Sequence, residues 1–129
     1  MSDDWRTAID IPPVMHSNPI PMASRVGNLL FSSGISGRDQ ATGKAAETID
    51  EQCAWCFRNL QKVLDQGGAT LGDVGRVLVW MRSPETRPVF NKYWVEAFPD
   101  EHSRPARHVF IDDHGPEVTM EIIAVIEGK

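Results

Sequence analysis

Apolar residues at Ile49, Cys53, Cys56, Phe57, Leu60, Val63 and Leu64 recur every three or four positions, which places them along one face of an α-helix. Thr48 with Glu51 three residues later has the spacing of a capping box, and Gly67-Gly68 supplies the stop. The pattern then changes. The run 74–81 (Val-Gly-Arg-Val-Leu-Val-Trp-Met) is β-rich and too short for a typical helix, so it predicts a buried strand. Pro88 near a first turn, Phe90, Trp94, Ala97 and Phe98 on one face, and Pro99 as terminator predict a second helix. Further strands are expected at 106–111 and 118–126, and a short one at 28–34, closed by Gly34. Residues 1–27 carry Pro12, Pro13, Pro19 and Pro21 and read as irregular, with room for one more strand; 37–43 reads as a polar loop. The order β-α-β-α-β-β fits an α+β sandwich with both helices on one face of the sheet. The runs 74–81 and 118–126 are apolar at nearly every position, which implies burial on the other face as well. A trimer packed around that face would supply the cover.

Composition narrows the class of protein. At 129 residues the chain fits a single domain, 1–129, with a core large enough to need no disulfide or metal. Its 13 Lys and Arg against 18 Asp and Glu give a net charge of −5, which argues against a dedicated nucleic-acid binder. No run approaches the ~20 apolar residues that span a bilayer. The start, Met1-Ser2-Asp3-Asp4-Trp5, lacks the basic and apolar regions of a signal peptide, so a cytoplasmic protein without membrane attachment is expected.

Most of the candidate chemistry has a plainer reading. Cys53 and Cys56 match C-x-x-C, but both sulfurs fall on the apolar stripe of the long helix, which favours buried structural thiols over a redox pair. With no second such pair, structural zinc has no four-ligand set. His102, His108 and His114 are spaced six and six, which matches no common ligand pattern, and Asp112-Asp113-His114-Gly115-Pro116 reads as a solvated turn. No metal is expected. Ser32-Ser33-Gly34 lacks the G-x-S-x-G elbow; its exposed N–H groups remain of interest for an anion or a carbonyl oxygen. The informative stretch is 103–107, Ser-Arg-Pro-Ala-Arg, leading into a strand. An arginine entering an apolar strand is costly unless it meets an anion, because guanidinium stays charged. Glu121 likewise interrupts an apolar strand. If the last two strands form an antiparallel hairpin, Arg107 and Glu121 approach each other at one end of the sheet. That leaves a structural ion pair and an anion site as equal alternatives.

Several segments, taken in order, resemble the reactive intermediate deaminase (RidA or YjgF-like) family. They are Val26-Gly27-Asn28 leading to Ser33-Gly34, the loop 39–43, the helix ending in Gly67-Gly68, Phe90-Asn91 with Trp94, Arg104-Pro105-Ala106-Arg107, and Met120-Glu121-Ile122. The resemblance spans about 19–126. It implies a chorismate-mutase-like α+β sandwich, with two helices packed on one face of a mixed sheet. It also implies a homotrimer with sheets facing the centre and clefts between subunits. By the same resemblance, Arg107 clamps a substrate carboxylate and Glu121 lies near the attacking water. Ser33 and Gly34 line the cleft, and Asn91 lies close by. The implied reaction is cofactor-free hydrolysis of 2-imino and 2-enamino acids to 2-keto acids and ammonia.

Three departures leave fold and arginine intact and put the substrate in question. The family's cleft tyrosine falls on Ile20, its frequent cysteine falls on Val109, and the stretch from Arg107 to Glu121 is about one residue shorter. If Ile20 lines the cleft, branched or aromatic substrates should fare better than the smallest imine. Alternatives to a general imine deaminase are a pathway-specific deaminase, such as one for 2-aminomuconate-like enamines, and a trimeric module that binds small carboxylates without turnover.

Overall fold

The computed structural model describes residues 5–128. Strands β1 (Arg6–Ile9), β2 (Ala23–Val26), β3 (Leu29–Ser32) and β4 (Ile35–Ser36) precede helix α1 (Ile49–Gly67); β5 (Val74–Met81), α2 (Thr86–Ala97), β6 (Ala106–Ile111) and β7 (Val118–Val125) follow. The sheet runs β1-β2-β3-β7-β5-β6, with β4 beside β3 along β7. All pairings are antiparallel except β5 with β6. Two helices on one face of a mixed sheet make the expected α+β sandwich.

The helix α1 starts and stops where its sequence directs. The Thr48 side chain accepts the Glu51 N–H at 3.1 Å, although the Glu51 carboxylate takes the Thr48 hydroxyl (2.9 Å) where a capping box would use the backbone N–H. Gly68, at φ +78°, closes the carboxyl end in the left-handed conformation that glycine adopts without strain. Cys53, Cys56, Leu60, Val63 and Leu64 are all completely buried against the sheet.

Two expectations need correction. The amino-terminal segment is not merely irregular: it contributes β1 and β2, which continue the sheet beyond β3 in an antiparallel meander. Short polar runs such as Arg6-Thr7-Ala8-Ile9 carry little periodicity, and pairing rather than pattern makes them strands. The second correction bears on the site. β6 and β7 form no hairpin, because β5 lies between them. The α2 crossover returns the chain parallel to β5 at the sheet edge, as a β-α-β connection does.

That arrangement gives the sheet two unlike faces. On β7, Val118, Met120, Ile122 and Ala124 are buried under the helices, while Thr119, Glu121, Ile123 and Val125 point away. On β5, Val77, Val79 and Met81 face inward, while Leu78 and Trp80 face outward. Phe31, Phe110, Ile123 and Val125 leave the outer face with an exposed apolar surface.

Candidate functional site

Arg107 sits on the edge strand β6 in register with Val77 and Ile122, two buried positions, so its side chain leaves the sheet on the helix side. There it meets α2. Its guanidinium lies 5.4 Å from the Phe90 ring and 4.8 Å from the Trp94 ring. Those rings belong to an aromatic ladder of Phe57, Phe90, Trp94 and Phe98. The negative ring faces attract the cation, and the same rings strip it of water. Arg107 Nη1 is buried and has no hydrogen-bond partner. Burial, and then the like charge of Arg87, hold its pKa below the ordinary arginine value. A guanidinium fork with an unused donor is chemically suited to an anion, and a carboxylate matches such a fork bidentately.

Glu121 is elsewhere. It pairs in register with Leu78, and so does His108 from the other side of β5, so both lie on the outer face. Arg107 and Glu121 therefore point to opposite faces of one sheet, and the expected approach between them does not occur within a single chain. Neither takes part in any ion pair among the described residues. This outcome disposes of a structural Arg107–Glu121 bridge inside one chain.

Ser33 and Gly34 follow β3. The Ser33 N–H donates to Met22 O (2.8 Å) and its hydroxyl to Pro21 O (2.9 Å), which clips the segment carrying Ile20 against the end of β3. Ile20 itself is 49% exposed. Gly34 lines a cleft of about 210 Å³ with His16, Met22, Ser36, Arg38 and Thr119. Space is tight there, because an added Cβ would stand 3.0 Å from Thr119 Cγ2. His16 Nε2 is buried without a partner. Three larger hollows, of about 300 Å³ beside Pro105, about 310 Å³ beside Tyr93 and about 470 Å³ beside Trp55, contain neither Arg107 nor Glu121. Asn91 lies one turn beyond Arg87 on α2, half-buried next to Phe90.

Sequence reasoning passed over Arg87 and His16. Arg87 precedes a proline at a helix start and looks like a solvated charge. His16 lies in a proline-rich segment with no pattern around it. Only the fold brings the one beside Arg107 and the other beside Gly34.

The remaining candidates behave as structural parts. Cys53 and Cys56 are free and buried, and the Cys56 thiol donates to Ile35 O at 3.2 Å. Burial pushes the Cys53 thiol up to about 12 and raises Cys56 as well, so neither is a ready nucleophile. His102 and His114 stand beside their sequence neighbours Glu101 and Asp113, each at 3.4 Å, while His108 stacks on Phe110. Among the described residues no three His, Cys, Asp or Glu side chains gather as a metal site. No helix there is long and apolar enough to cross a membrane.

The fold thus defines an α+β sandwich protein with an unpaired arginine on its edge strand β6. The chain belongs to the Endoribonuclease L-PSP family, whose model matches residues 16–127. Among its relatives, a RutC family protein of Pyrococcus abyssi is 32% identical over 113 residues, covering 84% of this chain and 87% of that protein. A Dermatophagoides farinae protein named 2-iminobutanoate/2-iminopropanoate deaminase is 29% identical, covering 84% and 87%. A solved structure from Thermotoga maritima superposes with a TM-score of 0.85 at 31% identity, covering 95% of this chain and 98% of that one. RidA from a Psychrobacter species shares the fold (TM-score 0.84, 24% identity, 93% and 99% covered). The resemblance to the reactive intermediate deaminases is borne out at the level of family and fold.

Proposed function

We propose that the chain hydrolyses reactive 2-imino and 2-enamino acids to 2-keto acids and ammonia, as a cytoplasmic homotrimer. The observation that carries this reading is Arg107: a half-buried guanidinium on an aromatic shelf, with one buried donor left unused. The carboxylate of a 2-imino acid lies next to the electrophilic C=N carbon, so holding the one fixes the other. An enamine first takes a proton at carbon and gives one up from nitrogen to become the imine. Water adds its oxygen to the imine carbon and the nitrogen gains a proton. The carbinolamine then loses ammonia as its hydroxyl becomes the keto oxygen. Glu121 serves as the group that orients the water, takes its proton and returns it to the leaving nitrogen. Ser33, Gly34 and Asn91 line the pocket, and Ile20 borders it. Imines hydrolyse readily in water, so no metal or cofactor is called for.

Because the two groups diverge within one chain, a working site combines Arg107 of one copy with Glu121 of another. The exposed apolar outer face, with Glu121 in its midst, supports that arrangement. A likeness in name favours the chemistry: one relative is called a 2-iminobutanoate/2-iminopropanoate deaminase. The family's ribonuclease description is the competing reading, and a net charge of −5 leaves it little attraction for a phosphate backbone.

The deciding assay generates imino acids in situ with an amino-acid oxidase and follows keto-acid release. Acceleration by the protein, lost in Arg107→Ala, is expected; no acceleration with any of several imines overturns the reading, as does cleavage of RNA at physiological salt. Mixing inactive Arg107→Ala with inactive Glu121→Gln tests the shared site. In a cyclic trimer about one cleft in four then holds both native groups, so activity should return. Two groups belonging to one chain would give no recovery.

A further inference from the structure

The face of α2 that shelters Arg107 carries a second guanidinium. Arg87, Phe90, Asn91 and Trp94 stand at i, i+3, i+4 and i+7, hence on one side of the helix. Arg107 lies over Phe90 and Trp94, which brings it beside the turn that carries Arg87. Arg87 is placed against local preference. It sits in the first turn of α2, where the helix dipole favours acidic residues and the one carboxylate nearby in sequence is that of the N-cap Glu85. Among the described residues it has no ion pair: the pairs that form use Arg82, Lys92, His102 and His114. Two cations held near each other with no carboxylate between them repel, and the like charge of Arg87 is one reason that Arg107 titrates low. Local rules are broken in this way at sites that await a ligand.

Building on Arg107 as the carboxylate clamp, we propose that Arg87 forms a second anion subsite, and that the chain takes dicarboxylic 2-imino acids. The carboxylate next to the imine enters the dry fork of Arg107. The side-chain carboxylate reaches outward to Arg87, which is exposed at the rim. Asn91, one turn beyond Arg87 on the same side of the helix, offers an amide donor. A monocarboxylate neutralises one of the two cations; a dicarboxylate neutralises both. The subsite thus sets substrate class, and leaves bond breaking to the groups already described.

Calorimetry on the intact oligomer tests this without turnover. The probes are 2-oxoglutarate and 2-oxobutanoate, which share the keto-acid head and differ by one distal carboxylate. The wild type should bind 2-oxoglutarate about tenfold more tightly, the size of one charge-assisted contact at an exposed rim. Arg87→Leu should bring the two ligands to parity, by a larger loss for 2-oxoglutarate than for 2-oxobutanoate, and Arg87→Lys should restore part of the preference. Equal affinities in the wild type, or a preference that survives in Arg87→Leu, overturns the proposal. The preference ratio judges Arg87 alone. Loss of 2-oxobutanoate binding in Arg107→Ala judges the clamp separately, so the two can fail independently. Imines of aspartate or glutamate, made in situ, should then show higher kcat/KM than the imine of alanine, with the advantage lost in Arg87→Leu.

Discussion

The two faces of the sheet are built from the same kinds of residue and meet opposite fates. Under the helices, Met120, Ile122 and Ala124 are dry; one position along the same strand, Ile123 and Val125 are left in water. Each face also holds a charged group in apolar surroundings. On the covered face Arg107 stands against Phe90 and Trp94 with its Nη1 unpartnered, and the proposed partner is a small anion. On the bare face Glu121 shares the outer side of the sheet with Leu78, Ile123 and Phe31, and the proposed partner is a second copy of the chain. The contrast teaches that an unfinished polar group and an unfinished apolar surface are separate deficits, and that one trimeric assembly can satisfy both.

The sharpest way to break the comparison is to cut neighbouring side chains. Ile122→Ala removes packing from the covered face and should destabilise the fold by about 2 to 5 kcal/mol, read from urea unfolding. Ile123→Ala should scarcely alter the unfolding of a single chain. Equal losses for the pair would mean that the faces are not distinct. Ile123→Asp acts on the bare face only: it should lower the light-scattering mass toward the 14.4 kDa of one chain with its circular dichroism unchanged. A wild type already monomeric at micromolar concentration would remove the case for an assembled bare face.

Thiol chemistry sharpens the covered face further. With Cys53 raised to about 12 and both sulfurs dry, an aromatic disulfide reagent at pH 8 should react only as the protein unfolds. Rapid modification of native protein would mean that the α1 stripe opens freely. The smallest effect belongs to the exposed link between the helices, where Lys92 Nζ and the Tyr93 hydroxyl both donate to Asp50, at 2.7 and 2.9 Å. These bonds hold the Asp50 carboxyl below its ordinary range. A depressed carboxylate stabilises the fold above the unfolded pKa and loses that contribution as pH falls through the folded value. Asp50→Asn should therefore lower Tm slightly at pH 7 and not at all at pH 2. The difference should fade in ~1 M salt, where the screening length is about 3 Å. An unchanged Tm at pH 7 and low salt would show that the link is without effect.

Much of this could be read from the chain. The stripe from Ile49 to Leu64 fixes α1, the Thr48 and Gly68 ends bound it, and the apolar runs mark β5, β6 and β7, because period and end signals are local properties. Arg107 stood out for the same local reason, a permanent charge in an apolar strand. The pairing of strands was not legible. Nothing in 106–126 distinguishes a hairpin from two strands parted by β5, since that choice depends on where α2 returns the chain. The strands β1 and β2 were equally hidden, being short and half polar.

What the sequence determined alone is therefore the set of elements, the buried stripe and the identity of the charged residues within it, all fixed by spacing along one chain. The tertiary structure decided neighbourhoods: that Arg107 rests on the aromatic side of α2 within the electrostatic reach of Arg87, that Glu121 faces away from it, and that His16 lines one cleft with Gly34. The physical reason is that side-chain direction follows strand register, and a shift of one residue or one strand sends a group to the opposite face.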